Sequence, residues 1–298
     1  MNIYAIVVTF NGIKWVKTCF ESLINSSVVP NILVVDNGST DGTLNIIRKE
    51  YPLVEVIETG QNLGFAKANN IGIKYALDKG TEYVFLLNQD AQVKSNTIKE
   101  LIDLFPSLPN AGILSPIHLN GTSAYLEPSF ANFIREHCSY EIISDLYFNN
   151  LKNYYEIKFV NAAAWLISRR CIETVGGFDT NIFFHYGEDI NYSQRLIFHG
   201  FKSYITTKTT ICHNTDGRTG FTKNFIHQQS DIWNKVVHSN ILNDEIMQSY
   251  KKNIIKKYLK SIVRLKLLEI LNIYADIKLY RKIKKSRELN KIGKLVWL

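Results

Sequence analysis

Cysteine is scarce in this 298-residue chain, and the four that occur fall without pattern. Cys19, Cys138, Cys171 and Cys212 show no paired spacing, which argues against a disulfide framework or a zinc cluster. Every apolar run of transmembrane length is interrupted by charge, so no membrane-spanning helix is expected. The first residues run straight into a strand-like segment, Ile3–Thr9, with no basic flank or cleavage site. A signal peptide is therefore not expected, and the expected location is the cytosol. Internal repeats and low-complexity linkers are missing. So is the glycine-rich loop that follows the first strand of a dinucleotide-binding fold. Thr9-Phe-Asn-Gly12 stands in its place and argues against nicotinamide chemistry.

Hydrophobic residues make up 46% of the chain, enough for one large α/β domain and an appendage. The formal net charge of +8 is unevenly spread. Residues 251–298 hold 15 Lys or Arg against 3 Asp or Glu, a net of +12, which leaves −4 for the remainder. A general nucleic-acid binder is thus disfavoured, and an anionic partner is expected for the C-terminal segment alone. That segment has no Pro or Gly from Lys251 to Leu289 and repeats apolar residues near helical period, at Ile255, Tyr258, Leu259, Ile262 and Val263. One long or two shorter amphipathic helices are expected.

The first half alternates strand and helix signals. Ile3–Thr9, Ile32–Val35, Val54–Ile57, Tyr83–Leu87 and Gly112–Ile117 read as strands. Ile13–Asn25, Thr43–Glu50, Ala66–Lys79 and Ser95–Phe105 read as helices between them. This alternation implies parallel βαβ units. Residues 118–157 carry no clear period. Phe159–Ser168 reads as a buried strand, Glu188–His199 as a helix and Tyr204–Cys212 as a strand.

Polar residues gather at the ends of these strands, where open α/β sheets bind ligands. Asn88-Gln89-Asp90 follows Tyr83–Leu87, and Asp90 suits a divalent cation. Asp36 ends the second strand, either as a turn residue or as an acceptor from a base or ribose. Asn62 and Gly64 lead into a helix, as capping residues or as ligand contacts. Glu188 and Asp189 open a helix, where acidic side chains are favoured whatever their role. Trp165 is either an acceptor-sugar platform or core, and Asn161 beside it is a pocket candidate.

These segments taken together resemble glycosyltransferase family 2. They are Val8-Thr-Phe-Asn-Gly12, Val34-Val-Asp-Asn-Gly-Ser-Thr-Asp-Gly42, Asn62-Leu-Gly-Phe-Ala66 and Leu87-Asn-Gln-Asp90, then Gly176-Gly-Phe-Asp179, Gly187-Glu-Asp189 and His213. The resemblance spans roughly residues 1–220 and is strongest to the bacterial rhamnosyltransferase-like branch, which builds surface polysaccharide. It implies a GT-A fold with a mostly parallel central sheet, and inverting transfer from a nucleoside-diphosphate sugar to a glycan or lipid-linked acceptor. It also implies Mn2+ or Mg2+. Residues 1–224 would form the catalytic domain, divided near residue 117 into nucleotide-sugar and acceptor halves, with 225–298 as a helical appendage.

By that resemblance Thr9, Asn11, Asp36, Asn62, Gly64 and Asn88 would serve the nucleotide, and Asp90 and His213 the metal and diphosphate. Asp189 would be the general base, with Glu188 beside it, and Arg218 would clamp phosphate from a loop. Many family members have Asp-x-Asp where this chain has Asn88-Gln-Asp90, so one metal carboxylate is missing. The competing readings are a sugar nucleotidyltransferase and a non-catalytic membrane-docked relative. The basic tail is expected to meet the inner membrane surface, or else to pack on the catalytic domain or a second copy. The catalytic domain is not expected to need it for chemistry.

Overall fold

A computed structural model describes residues 2–138, 140–215, 223–263, 267–294 and 296, without the side chains of 223–228, 263 and 267–272. Its first half holds β1 (Ile3–Thr9), α1 (Ile13–Ile24), β2 (Asn31–Asp36), α2 (Thr43–Glu50), β3 (Glu55–Glu58), α3 (Phe65–Asp78) and β4 (Tyr83–Asn88). Then come β5 (Ala91–Val93), α4 (Thr97–Leu104), β6 (Ala111–Leu119), α5 (Pro128–His137), α6 (Glu141–Tyr147) and β7 (Tyr154–Ile157). The chain continues through β8 (Ala164–Ser168), α7 (Arg169–Val175), α8 (Glu188–Phe198) and β9 (Lys202–His213). It ends in α9 (Lys223–Ser239), α10 (Glu245–Val263) and α11 (Leu267–Ile292).

All the described strands join one sheet, ordered β3-β2-β1-β4-β8-β6-β9-β5, with β7 also on β9. The β3-β2-β1-β4 part is parallel, as the alternation of helix and strand requires. β8 enters antiparallel between β4 and β6. Both faces of the parallel part are covered, which explains its continuous apolar runs. Ile6, Leu33, Val35 and Leu86 pack with α3, α7 and α8 on one face. Ala5, Val7, Val34 and Phe85 pack with α1 and α4 on the other.

The region without clear period holds α5, α6 and β7. The expected strand from Phe159 is shorter than its apolar pattern, because residues 159–163 approach the sheet as loop and only Ala164–Ser168 pairs.

Two helices, α10 and α11, form the C-terminal segment, and α11 is not a loose appendage. Asp179, fully buried, accepts from the N–H groups of Asn181 and Ile182 with one carboxylate oxygen. Its other oxygen accepts from Ser286 and Asn290 of α11. Arg287 donates to the carbonyls of Asn240 and Asn243 and pairs with Asp244 at 2.6 Å. Ile283 packs with Ile182, Phe183, Val236 and Met247 in a separate small core. The end of the chain returns to α7, where Gly177 N–H donates to the Val296 carbonyl at 3.0 Å. The segment Asp179–Gly187, which leads to Glu188 and Asp189, is therefore held by the C-terminal helices.

Losing a buried charged acceptor leaves several donors unmatched. Asp179→Ala should lower stability by at least about 2 kcal/mol in urea unfolding. A change within about 0.5 kcal/mol would mean that α11 is not held through this carboxylate.

Candidate active site

The parallel pairing places Thr9 opposite Asp36 at the carboxyl ends of β1 and β2. Thr9 donates to Asp36 at 2.9 Å, and the N–H groups of Gly38 and Ser39 donate to the other carboxylate oxygen at 3.1 and 2.9 Å. Both side chains are about 1% exposed and neither lines a cavity. Direct contact with a base was expected of them. Their bonding instead makes them the foundation of the loop that follows β2. Asn11 braces that loop from the other side, its amide oxygen accepting from Thr40 N–H at 2.8 Å.

Above this foundation lies a cavity of about 380 Å3 lined by Asn37, Asn62, Gly64, Asn88, Gln89 and Asp90, with Val8, Phe10 and Phe65. Two of its polar residues, Asn37 and Gln89, had no expected role. Asn37 donates to Asn62 at 3.0 Å and accepts from Leu63 N–H at 2.8 Å, joining two loops. Gln89 clamps the backbone of Phe10, accepting from its N–H at 3.0 Å and donating to its carbonyl at 3.2 Å. Each sits in a motif between residues that had roles. Their partners lie far away in sequence, so no local signal marked them. Gly64 does permit a close backbone approach, and the partner is the chain itself. A Cβ there would lie 2.1 Å from the Phe184 carbonyl oxygen, at a φ of +81°.

β9 supplies the next component. A register shift between Thr206 and Thr210 bends its second half, as bulges do, and brings that half alongside β5. Ala91 then pairs with His213, so Asp90 and His213 meet. His213 Nε2 lies 3.4 Å from Asp90 Oδ1 and 3.4 Å from Asn88 Nδ2. Two ligands of one octahedral cation, each at roughly 2.1 Å, stand roughly 3 Å apart. The pair therefore fits a cation. Among the described residues no cluster of three His, Cys, Asp or Glu exists, and the pair leaves coordination positions open to other ligands. His118, fully buried against Phe130, stands behind His213 with ring centroids 6.2 Å apart. Burial, then its neighbour His213, holds His118 well below the usual imidazole range.

A second cavity, of about 790 Å3, shares Phe65, Asn88, Ala162 and His185 with the first. His213, Asn161, Glu188 and Asp189 line it. Tyr186 and Gly187 both take left-handed backbone conformations directly before α8, at φ of +67° and +87°. This sharp entry presents Glu188 and Asp189 at the first turn of the helix. Burial raises both carboxyls above the usual carboxylate range, and the charge of Asp189 adds to the effect on Glu188. The two are not equivalent. The N–H groups of Ile190 and Ala162 donate to Asp189 and favour its ionised form. Glu188 Oε2 is buried without a partner among the described residues, as is Asn161 Oδ1.

Trp165 is core. It is fully buried on β8, donates to the Val160 carbonyl at 3.2 Å and packs with Phe178 and Tyr192. Of the two readings open for it, platform or core, full burial leaves the core. Arg218 lies outside the described residues.

The family model "Glycosyl transferase family 2" matches residues 4–176, more than half of the chain. The chain belongs to that family and is a glycosyltransferase with a GT-A-like fold. Its relatives match the rhamnosyltransferase-like branch. The dTDP-rhamnosyl transferase RfbF of Shigella flexneri is 27% identical over 216 residues, 71% of this chain and 69% of that protein. The N-acetylglucosaminyl-diphospho-decaprenol L-rhamnosyltransferase of Mycobacterium tuberculosis is 28% identical over 212 residues, 64% of this chain and 68% of that protein. Among solved structures, TarS 1–349 of S. aureus in complex with UDP has a TM-score of 0.58 at 16% identity, covering 82% of this chain and 66% of that one. The mannosyltransferase PcManGT of Pyrobaculum calidifontis, in complex with GDP-Man and Mn2+, has a TM-score of 0.56 at 17% identity, covering 96% of this chain and 73% of that one. At such identity these two likenesses show the fold alone.

The buried carboxyls carry a stability cost that depends on pH. A carboxyl whose folded pKa is raised takes up its proton more readily in the folded state. Its effect is favourable at low pH and is lost as pH rises from its unfolded value, about 4, through the folded one. Glu188→Gln should therefore raise the melting temperature near neutral pH and have little effect near pH 4. An equal effect at both pH values in thermal unfolding would contradict the burial of an ionisable Glu188.

Proposed function

We propose that this enzyme transfers a deoxyhexosyl residue, rhamnosyl by preference, from a nucleoside-diphosphate sugar to a hydroxyl of a lipid-linked glycan, with inversion, in surface polysaccharide synthesis. The observation that carries the reading is the Asp90–His213 pair, whose imidazole faces one cavity together with Asp189. The cavity shaped by Asn37, Asn62 and Asn88 is suited to the nucleotide, with Asp36 and Thr9 holding its loop and Asn11 bracing it. The diphosphate would then lie at Asp90 and His213, with Asn88 beside them.

A divalent cation there, Mn2+ in preference to Mg2+ because one ligand is an imidazole, would stabilise charge on the leaving diphosphate. Asp189 accepts the proton of the acceptor hydroxyl as its oxygen bonds to the anomeric carbon and the bond to the diphosphate breaks. Attack opposite the leaving group inverts that carbon. Glu188, whose carboxyl is raised further than that of Asp189 by burial and by the charge of Asp189, keeps its proton and leaves the base role to Asp189. The rhamnosyl preference and the lipid-linked acceptor rest on what the two curated relatives are named for.

Asp90→Ala should abolish turnover, assayed as nucleoside diphosphate release from dTDP-rhamnose with Mn2+, and a chelator should do the same to the unaltered enzyme. His213→Ala should reduce it less completely. Full activity of Asp90→Ala, or indifference to the chelator, would contradict the cation site.

The tail fits a peripheral place on the cytoplasmic face of the membrane. Among the described residues no helix is long and apolar enough to cross a bilayer. Ile255, Tyr258, Leu259 and Ile262 of α10 form an exposed apolar stripe, while its other side, with Ile254 and Ser261, is buried. Lys252, Lys256 and Lys260 flank the stripe and are exposed. Each such Lys adds about 1 kcal/mol at an anionic surface. Deleting the tail would disrupt the α11 contacts, so point variants give the cleaner test. Lys252→Gln/Lys256→Gln/Lys260→Gln should weaken sedimentation with phosphatidylglycerol vesicles, and 0.5 M salt should weaken that of the unaltered protein. Equal binding to phosphatidylcholine vesicles, or no effect of the triple substitution, would favour pairing of α10 with a second copy.

A further inference from the structure

The larger cavity extends beyond the catalytic carboxyls and is walled there by two helices. Ser129, Asn132 and Phe133 of α5 form one wall, and Gln229, Ile232 and Trp233 of α9 form the other. On α9, Gln229, Ile232, Trp233 and Val236 are spaced i, i+3, i+4 and i+7 and therefore share one face. Ile232 and Val236 seat that face against the turn before α8. A Cβ on Gly187 would lie 2.8 Å from Val236 and 3.1 Å from Ile232. The far end of α9 is fixed by a bond from Asn191 of α8 to Ser239 at 3.1 Å. α9 thus holds a defined position beside Glu188 and Asp189.

Trp233 is 60% exposed although it shares the seated face. It belongs to none of the hydrophobic clusters and contributes its indole to the cavity wall. A sugar ring has an apolar C–H face and hydroxyl edges, so it is recognised by an aromatic plane with polar groups around it. Gln229 and Asn132 supply such groups here, with Glu188 and Asn161 in the same lining. The cavity assigned to the nucleotide adjoins this one, sharing Phe65, Asn88, Ala162 and His185, and does not include Trp233.

We propose that Trp233 is the platform on which the acceptor sugar stacks, and that α5 and α9 together form the acceptor subsite. This rests on the reading of Asp189 as the base toward which the acceptor hydroxyl points. Trp233 would then set acceptor affinity and selectivity without touching the donor. The helix that carries it, α9, precedes α10 and α11, so the helical region after β9 would contribute to substrate recognition.

The test uses the full chain with dTDP-rhamnose, Mn2+ and a panel of octyl glycosides of N-acetylglucosamine, glucose, galactose and rhamnose. Three quantities are read: transfer to each glycoside, donor hydrolysis without glycoside, and quenching of tryptophan fluorescence. Trp233→Ala should raise the KM for the best acceptor about tenfold and leave donor hydrolysis within about twofold. Trp233→Phe should recover most of the affinity and abolish the quenching. An unchanged acceptor KM in Trp233→Ala would overturn the proposal while leaving the enzyme's reaction intact. A panel that neither accepts sugar nor quenches fluorescence, despite donor hydrolysis, would also overturn it. Loss of donor hydrolysis in Trp233→Ala would place Trp233 with the donor instead. No nucleoside diphosphate release by the unaltered chain would overturn the donor reading and this proposal together.

Discussion

The pairing of Ala91 with His213 is the contact on which the candidate site depends. Asp90 leaves the central sheet only two residues after β4 ends, so its position is fixed by the sheet. His213 is more than a hundred residues further on, and it reaches Asp90 because β9 bends beyond Thr206 and closes onto a strand of three residues. The β5–β9 ladder thus brings Asp90 to His213, while β4–β8 and β6–β9 also join the two halves of the sheet. The imidazole brings little conformational freedom, since its ring is about 1% exposed. Preorganisation of this kind is inexpensive during reaction because the folding of the sheet has already fixed the geometry.

The C-terminal helices extend the same logic to the acceptor side. Asp179 links α11 to the segment that turns sharply at Tyr186 and Gly187 into Glu188 and Asp189. The small core around Ile283 packs against Ile182 and Phe183 of that segment. Phe184 in turn lies against Gly64, and both line the first cavity. The contacts of α11 thus reach the segment that borders both cavities. The exposed stripe of α10 lies on the helix before α11.

The strands of the parallel half were legible in the sequence because burial on both faces leaves nearly unbroken apolar runs with polar residues at their ends. Asn88, Asp90 and Asp189 stand at or next to the end or start of an element, where the sequence marks polar residues, and Asn62 lies in the loop between β3 and α3. What the sequence concealed depends on distant partners. Asp36 reads as a ligand-binding carboxylate in sequence, and the structure adds bonds from the N–H groups of Gly38 and Ser39 and from the Thr9 hydroxyl that only the fold reveals. Trp165 stands among alanines that suit either a pocket wall or a covered sheet, and the cover supplied by Phe178 and Tyr192 decides for the core. Ser286 and Asn290 read as the polar face of a solvated helix until Asp179 is placed between them. α5 carries one deeply buried hydrophobic residue, Phe130, which is too little for a visible helical period. Trp233 gives no signal in sequence either, because an exposed tryptophan on an amphipathic helix is distinguished only by the cavity beside it.

The central claim is that Asp90 and His213 together receive the cation that holds the donor's diphosphate, opposite Asp189. A crystal structure of the full chain with dTDP and Mn2+, with anomalous scattering recorded at the manganese edge, measures this most directly. The account predicts a single manganese peak within roughly 2.0–2.3 Å of both Asp90 and His213 Nε2, touching the diphosphate. Manganese bound away from His213, or dTDP bound with its diphosphate distant from Asp90, would contradict it.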